Sequence, residues 1–154
     1  MARIPYFKAE EVTIPLRFIV LTAHFIAVLA VVFALTTLTG SITQVDVSSP
    51  NTPQSSITYY NITYNKLSGF AYAALACFGV EFITLFLGVS IFIRPMMLIN
   101  IIAHFLGLIL DIVFYIELWP VAAWISFVVV FNFVPLTLEL GVWAFMSRFT
   151  YARY

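Results

Sequence analysis

Charge is scarce in this sequence. Only 9% of the 154 residues are Asp, Glu, Lys or Arg, against about 25% in a soluble domain. So sparse a set cannot form the water-facing shell of a globule, which excludes a soluble enzyme. Seven basic and seven acidic residues cancel, so nothing in the charge balance tracks a phosphate backbone, and nucleic acid is excluded as a partner. Cysteine is nearly absent as well. Cys77 stands alone, which removes an intrachain disulfide and leaves the spacing rules for zinc or redox pairs nothing to act on. No metal site is expected. Nucleophile elbows and phosphate loops are also missing; Gly88-Val89-Ser90 lacks the strand-to-helix context that such an elbow needs.

What is present is apolar length. Hydrophobic residues make up 63% and aromatic residues 18% of the chain, with a mean hydropathy of +1.05. Four runs reach the roughly 20 residues that cross a bilayer: 16–38, 67–93, 95–118 and 120–146. The fold class is therefore an all-α membrane protein, a single antiparallel bundle of four transmembrane helices over 1–154. The first run exceeds a signal-peptide core and no small-residue cleavage pattern closes it. Arg94-Pro95 and Trp119-Pro120 divide the later runs, with each proline in the first turn of the next helix, where a missing N–H costs nothing. The stretch 39–66 reads as a loop on the membrane surface, rich in Ser and Thr, with Pro50 and Pro53 as turn formers and Tyr59, Tyr60 and Tyr64 suited to the interface. Asn61-Ile62-Thr63 is an eligible glycosylation acceptor, close to the start of the second span. Arg3, Lys8, Arg17, Arg94, Arg148 and Arg153 fall on the side of the termini and Lys66 opposite. The positive-inside rule then puts both termini in the cytoplasm and the loop in the lumen or outside the cell.

Ionisable groups inside a span are costly and imply function. Here they are His24, Glu81, His104, Asp111 and Glu139, with Asn100 and Asn132 as neutral companions. At 1.5 Å per residue, His24, His104 and Glu139 lie roughly ~12–13 Å from the cytoplasmic end and Glu81 near ~18 Å. Asp111 and Asn132 form a second level at roughly ~22–24 Å. Asn100, His104, Gly107 and Asp111 share one helical stripe, so an inward-facing polar cluster is expected in which each Glu accepts from a neighbouring His. Gly69, Ala73, Cys77 and Gly88 are read as a small-residue packing seam on the second span. Phe33, Phe86, Phe92, Phe114, Phe127 and Phe131 are read as facing lipid or another subunit, which leaves oligomerisation open.

Three classes can use such a cluster. His24 and His104 could ligate a haem from both faces. Histidines and carboxylates could relay protons. An adaptor could use buried polar groups to fix helix register and partner choice. Short tails and the lack of an enzyme motif favour the adaptor, with no cofactor and membrane lipids as surroundings.

The residues Ile14-Pro15-Leu16-Arg17-Phe18 and Ala23-His24 in the first span, Val80-Glu81 and Gly88-Val89-Ser90-Ile91-Phe92 in the second, Ala103-His104 and Glu117-Leu118-Trp119 in the third, and Pro135 with Glu139 in the fourth carry a likeness. In this order and at these separations the chain resembles the transmembrane protein 107 family, small four-span proteins of the ciliary transition zone. That resemblance implies a non-enzymatic multi-pass membrane scaffold of the cilium, which supports ciliogenesis and the Meckel-syndrome module, has tectonic and B9-domain proteins as partners, and controls which membrane proteins enter. Asp111 and the aromatic tail Arg148–Tyr154 depart from the family pattern. A structural subunit of another large membrane complex, such as an organelle respiratory assembly, is the competing expectation.

Overall fold

A computed structural model describes residues 9–88 and 93–151. All regular structure among them is helical: α1 Ala9–Phe33, α2 Leu35–Thr43, α3 Gln54–Phe86, α4 Arg94–Glu117, α5 Val121–Val128, a π-helical turn Val129–Phe133, and α6 Val134–Tyr151. These make four columns. The first joins α1 to α2 with an irregularity at Ala34 only, whose N–H still reaches Ala30 O at 3.1 Å. The fourth runs through α5, the π turn and α6. Four stretches are long and apolar enough to cross a membrane: Glu11–Phe33, Gln54–Phe86, Arg94–Glu117 and Val121–Arg148. Adjacent columns are antiparallel, so one end of the bundle carries the start of α1 and the end of α6 (the terminal end) and the other carries the α2–α3 and α4–α5 turns (the hairpin end).

Proline and left-handed residues set the boundaries. Pro53 and Pro120 cap the starts of α3 and α5 with φ near −58° and −55°, and Pro95 occupies the first turn of α4. Each supplies a helix-compatible φ where no N–H partner is available. At the other ends, Gln44 after α2 and Leu118 after α4 adopt φ of 54° and 52°, and Gly88 after α3 adopts 70°. The Pro135 ring would collide with the carbonyl of Phe131 in a regular helix; the wider π turn sits directly before it and absorbs that collision.

Most of the expected surface loop 39–66 is helical instead. Only 44–53 lie outside α2 and α3. The hydroxyls that favour turns are turned back onto their own helices: Thr39 onto Leu35 O and Thr43 onto Thr39 O, both at 2.7 Å, and Thr58 onto Gln54 O at 2.9 Å. Leu35 and Leu38 of α2 are buried, as are Tyr60 and Thr63 of α3, and apolar packing between the two helices outweighs turn propensity. What remains is a short turn organised by Asp46, which accepts from Ser48 N at 2.9 Å and Ser48 Oγ at 2.6 Å. These bonds hold the Asp46 carboxyl below its ordinary pKa. Asn61 is exposed, but in the regular helix α3 and not in a loop.

With 33 residues, α3 is about 50 Å long, well beyond a hydrocarbon core of about 30 Å. Its first turns and α2 therefore stand up as a tall hairpin beside the lower α4–α5 turn.

The small-residue seam is corrected. Gly69 is exposed and nothing lies within 4 Å of where its Cβ would be. Each i, i+4 step overshoots a full turn by about 40°, so a string of such steps winds from the outside of α3 at Gly69 to the inside at Cys77. Ala73 is half-buried on the way, and Gly88 ends the helix without joining a seam. The buried line is Leu67, Ala71, Ala74, Phe78, Glu81 and Leu85. Phe114 also departs from expectation. It is fully buried, with its ring 5.6 Å from that of Trp124, while Phe33 and Phe86 are exposed toward lipid. Phe92 lies outside the described residues.

Candidate functional site

Besides Thr39, which bonds to its own helix, eight polar side chains among the described residues are at most 2% exposed in a bundle made largely of Leu, Ile, Val and Phe: Arg17, His24, Glu81, Asn100, His104, Asp111, Asn132 and Glu139. Burying a charge is costly unless it is paired, and seven of the eight are organised into two networks.

The first network is a chain across four helices. Glu81 on α3 places Oε2 2.9 Å from His104 Nε2 on α4. His104 Nδ1 lies 3.1 Å from His24 Nδ1 on α1. His24 Nε2 lies 3.1 Å from Asp111 Oδ2, about two turns further along α4 than His104. Trp124 of α5 donates from Nε1 to Asp111 Oδ1 at 2.9 Å. Phe78 covers both imidazoles, edge-on to His24 with centroids 4.9 Å apart and tilted against His104 at 5.8 Å. At the Nδ1–Nδ1 contact one ring donates and the other accepts, while each Nε2 stands at ion-pair distance from a carboxylate.

The second network centres on Glu139 of α6. Its Oε1 accepts from the Arg17 guanidinium of α1 and from Asn100 Nδ2 of α4, and its Oε2 accepts from Thr84 Oγ1 of α3. One carboxylate thus ties all four columns together. Thr84 Oγ1 also lies 2.9 Å from the carbonyl of Glu81, so Thr84 stands between the two networks.

Local sequence explains the placement. Asn100, His104, Gly107 and Asp111 form the buried stripe of α4. Gly107 sits where α1 comes closest: a Cβ there would overlap Cε1 and Nε2 of His24 and lie 3.0 Å from Phe131 Cβ. Only glycine lets the His24 ring lie between His104 and Asp111. His24 thereby bridges the two depth levels that helix arithmetic separates.

Of the residues singled out by sequence, the structure brings His24, Glu81, His104 and Asp111 into one chain. Glu139 departs from expectation, because its partners are Arg17, Asn100 and Thr84 and not a histidine. The reason lies in Arg17. By sequence it falls with the charges flanking the membrane, yet α1 begins at Ala9 and carries Arg17 two turns inward. Orientation by charge then rests on Arg3, Lys8, Arg94, Arg148 and Arg153 against Lys66, and Arg3, Lys8 and Arg153 lie outside the described residues. Asn132 is buried in the π turn, and its Oδ1 has no hydrogen-bond partner among the described residues. Sequence reasoning missed Arg17, Thr84 and Trp124. A signal existed for Thr84, three residues after Glu81 on the same face. One existed for Trp124 too, an indole one turn inside the fourth span whose N–H needs an acceptor.

The arrangement leaves little room for a cofactor. The two imidazoles touch directly, with centroids 5.4 Å apart, so no porphyrin plane fits between them, and both Nε2 atoms already face carboxylates. Among the described residues no group of three or more His, Cys, Asp or Glu could hold a metal ion.

A family model named TMEM107, described as a transmembrane protein, matches residues 13–143. The chain belongs to the TMEM107 family. Every member of both networks, from Arg17 to Glu139, falls inside that match. No curated protein and no solved structure matches the chain. Within this TMEM107 chain the resemblance residues Pro15, Arg17 and His24 lie on α1, Glu81 on α3, His104 on α4 and Glu139 on α6. Val89 to Phe92 lie outside the described residues.

Proposed function

We propose that this TMEM107-family chain is a non-enzymatic scaffold of the ciliary transition zone. Its termini face the cytoplasm, and it holds Meckel-syndrome-module partners of the tectonic and B9-domain kind at the gate that sets ciliary membrane composition. Family membership supports the ciliary part of this reading. The scaffold part rests on one observation: the polar groups are turned on one another and sealed from solvent. Arg17 at one end and Trp124 at the other are both buried, and the pocket that Asp111 borders is otherwise lined by Ala27, Ala30, Ile112, Tyr115 and Ile116, a largely apolar wall unlike that of a proton path or substrate site. Such networks act instead as a register lock. Sliding any column by one residue moves its polar group about 100° around the helix and strands a charge in an apolar core.

The test is localisation of a tagged full-length copy in ciliated cells, with co-purification of its neighbours. Signal at the transition zone, lost together with tectonic-type partners in the Glu139→Leu variant, is the expected result. Residence in the inner mitochondrial membrane or the endoplasmic reticulum would overturn the ciliary reading. A Soret band lost in His24→Ala, or proton flux into liposomes lost in Glu139→Gln, would overturn the scaffold reading.

A further inference from the structure

Beside the tall α2–α3 hairpin, the α4–α5 turn leaves a step, and the step holds a cavity of about 570 Å³. That volume lies within the range of small-molecule sites. Counting down α3 from Phe86 at 1.5 Å per residue, Lys66 stands about 30 Å up, at the edge of the hydrocarbon. The cavity therefore spans the level where headgroups give way to acyl chains.

Its polar lining is confined to Tyr59, Thr63 and Lys66, all on α3. Lys66 lines it and has no ion-pair partner among the described residues. Thr63, one turn above, is more than nine-tenths buried and also lines it. Thr39, Thr43 and Thr58 each donate to the carbonyl four residues back. Thr63, buried like Thr39, makes no such bond, and its hydroxyl is left for something in the cavity. Below them the walls are apolar and stiff: Phe70 from α3, Pro120 and Val121 from the turn, Ile125 from α5. A matching ligand carries one small hydrogen-bonding group on a rigid apolar body. Two flexible acyl chains under a large headgroup match neither the volume nor the polar lining.

We propose that this cavity binds a membrane sterol, with its hydroxyl held by Thr63 and Lys66 and its ring system laid between Phe70 and Ile125. The site goes beyond the scaffold role and stands independently of it. It would make retention of the protein responsive to sterol content.

The full chain in detergent micelles is labelled with a photoreactive cholesterol analogue, with unlabelled cholesterol as competitor. Saturable labelling is expected, mapped to α3 and α5 peptides. Ala122→Trp, which fills the cavity mouth, is expected to abolish labelling. Thr63→Val is expected to weaken competition roughly three- to tenfold, the value of one hydrogen bond. The epimer with the inverted hydroxyl is expected to compete poorly. Thermal midpoints of both variants within a few degrees of the parent show that the fold survives; should Ala122→Trp unfold, Thr63→Val and the epimer decide. Labelling that does not saturate, that survives both variants, or that is displaced equally by phosphatidylglycerol overturns the proposal, the last in favour of an anionic phospholipid.

Discussion

Replacing Glu139 by Leu removes the one carboxylate that touches all four columns, and the size of the effect separates two views of this core. Arg17 is 2% exposed and Glu139 0%. If the guanidinium is held where it lies, the variant strands a charge, which costs about 3–5 kcal/mol. Asn100 Nδ2 loses its acceptor as well, while Thr84 keeps the Glu81 carbonyl. If instead Arg17 can snorkel along α1 to the terminal end, the loss shrinks to that of a typical interhelical hydrogen bond in a membrane, about 0.6 kcal/mol. The held charge predicts a drop of two to more than three decades in the folding equilibrium constant, at about 1.4 kcal/mol per decade. A double-mutant cycle sharpens the distinction. Arg17→Met combined with Glu139→Leu leaves no stranded charge, so the pair is expected to lie within about 2 kcal/mol of the parent, well above either single variant. Unfolding by added sodium dodecyl sulfate in mixed micelles, followed by the fluorescence of buried Trp124, measures all four forms. A Glu139→Leu variant within about 0.6 kcal/mol of the parent, or a double variant equal to the sum of the singles, refutes a pinned ion pair.

Gly107→Ala is expected to cost about 1–3 kcal/mol through overpacking against His24, whereas Gly69→Ala and Gly141→Ala, which meet nothing within 4 Å, are neutral or slightly stabilising; the same detergent titration compares them. Trp124→Phe keeps the stacking on Phe114 but leaves Asp111 Oδ1 without its donor, an expected loss of about 1–3 kcal/mol, with the Trp119 and Trp143 emission following unfolding. The Asp46 turn is expected to be pH-insensitive from 7 to 5. Its carboxyl lies below the ordinary value, so its contribution is complete above about pH 3.9 and fades only as pH falls through the lower folded value. The Ser48 amide resonance reports this, and a midpoint above pH 4.5 would contradict it. Cys77, 4% exposed, is expected to resist a membrane-permeant maleimide until the bundle is unfolded.

The number of crossings was legible because bilayer thickness imposes it: the Arg94-Pro95 and Trp119-Pro120 breaks and the apolar runs between them allow few alternatives. The stripe Asn100–His104–Gly107–Asp111 was legible for the same kind of reason, since helical period alone puts those residues on one face. Partner choice was not. Whether Glu139 meets a histidine or Arg17 depends on where α1 begins, and the polar residues before Pro15 hide that start. Thr39 to Lys66 misled because Ser and Thr favour turns in water, yet bond to their own helix when neighbouring apolar residues hold the helix together. Glycines were ambiguous for a related reason. Gly107 and Gly69 both sit at small-residue spacings, and only the approach of another helix shows which one is needed.

The unequal height of the two hairpins gives the molecule a direction in the plane of the membrane. On one flank a post of two helices rises about 20 Å past the acyl region; on the other the chain turns back at its edge. A neighbour with mass outside the bilayer meets that post from one azimuth only. From every other azimuth the same neighbour finds only the low side of the bundle.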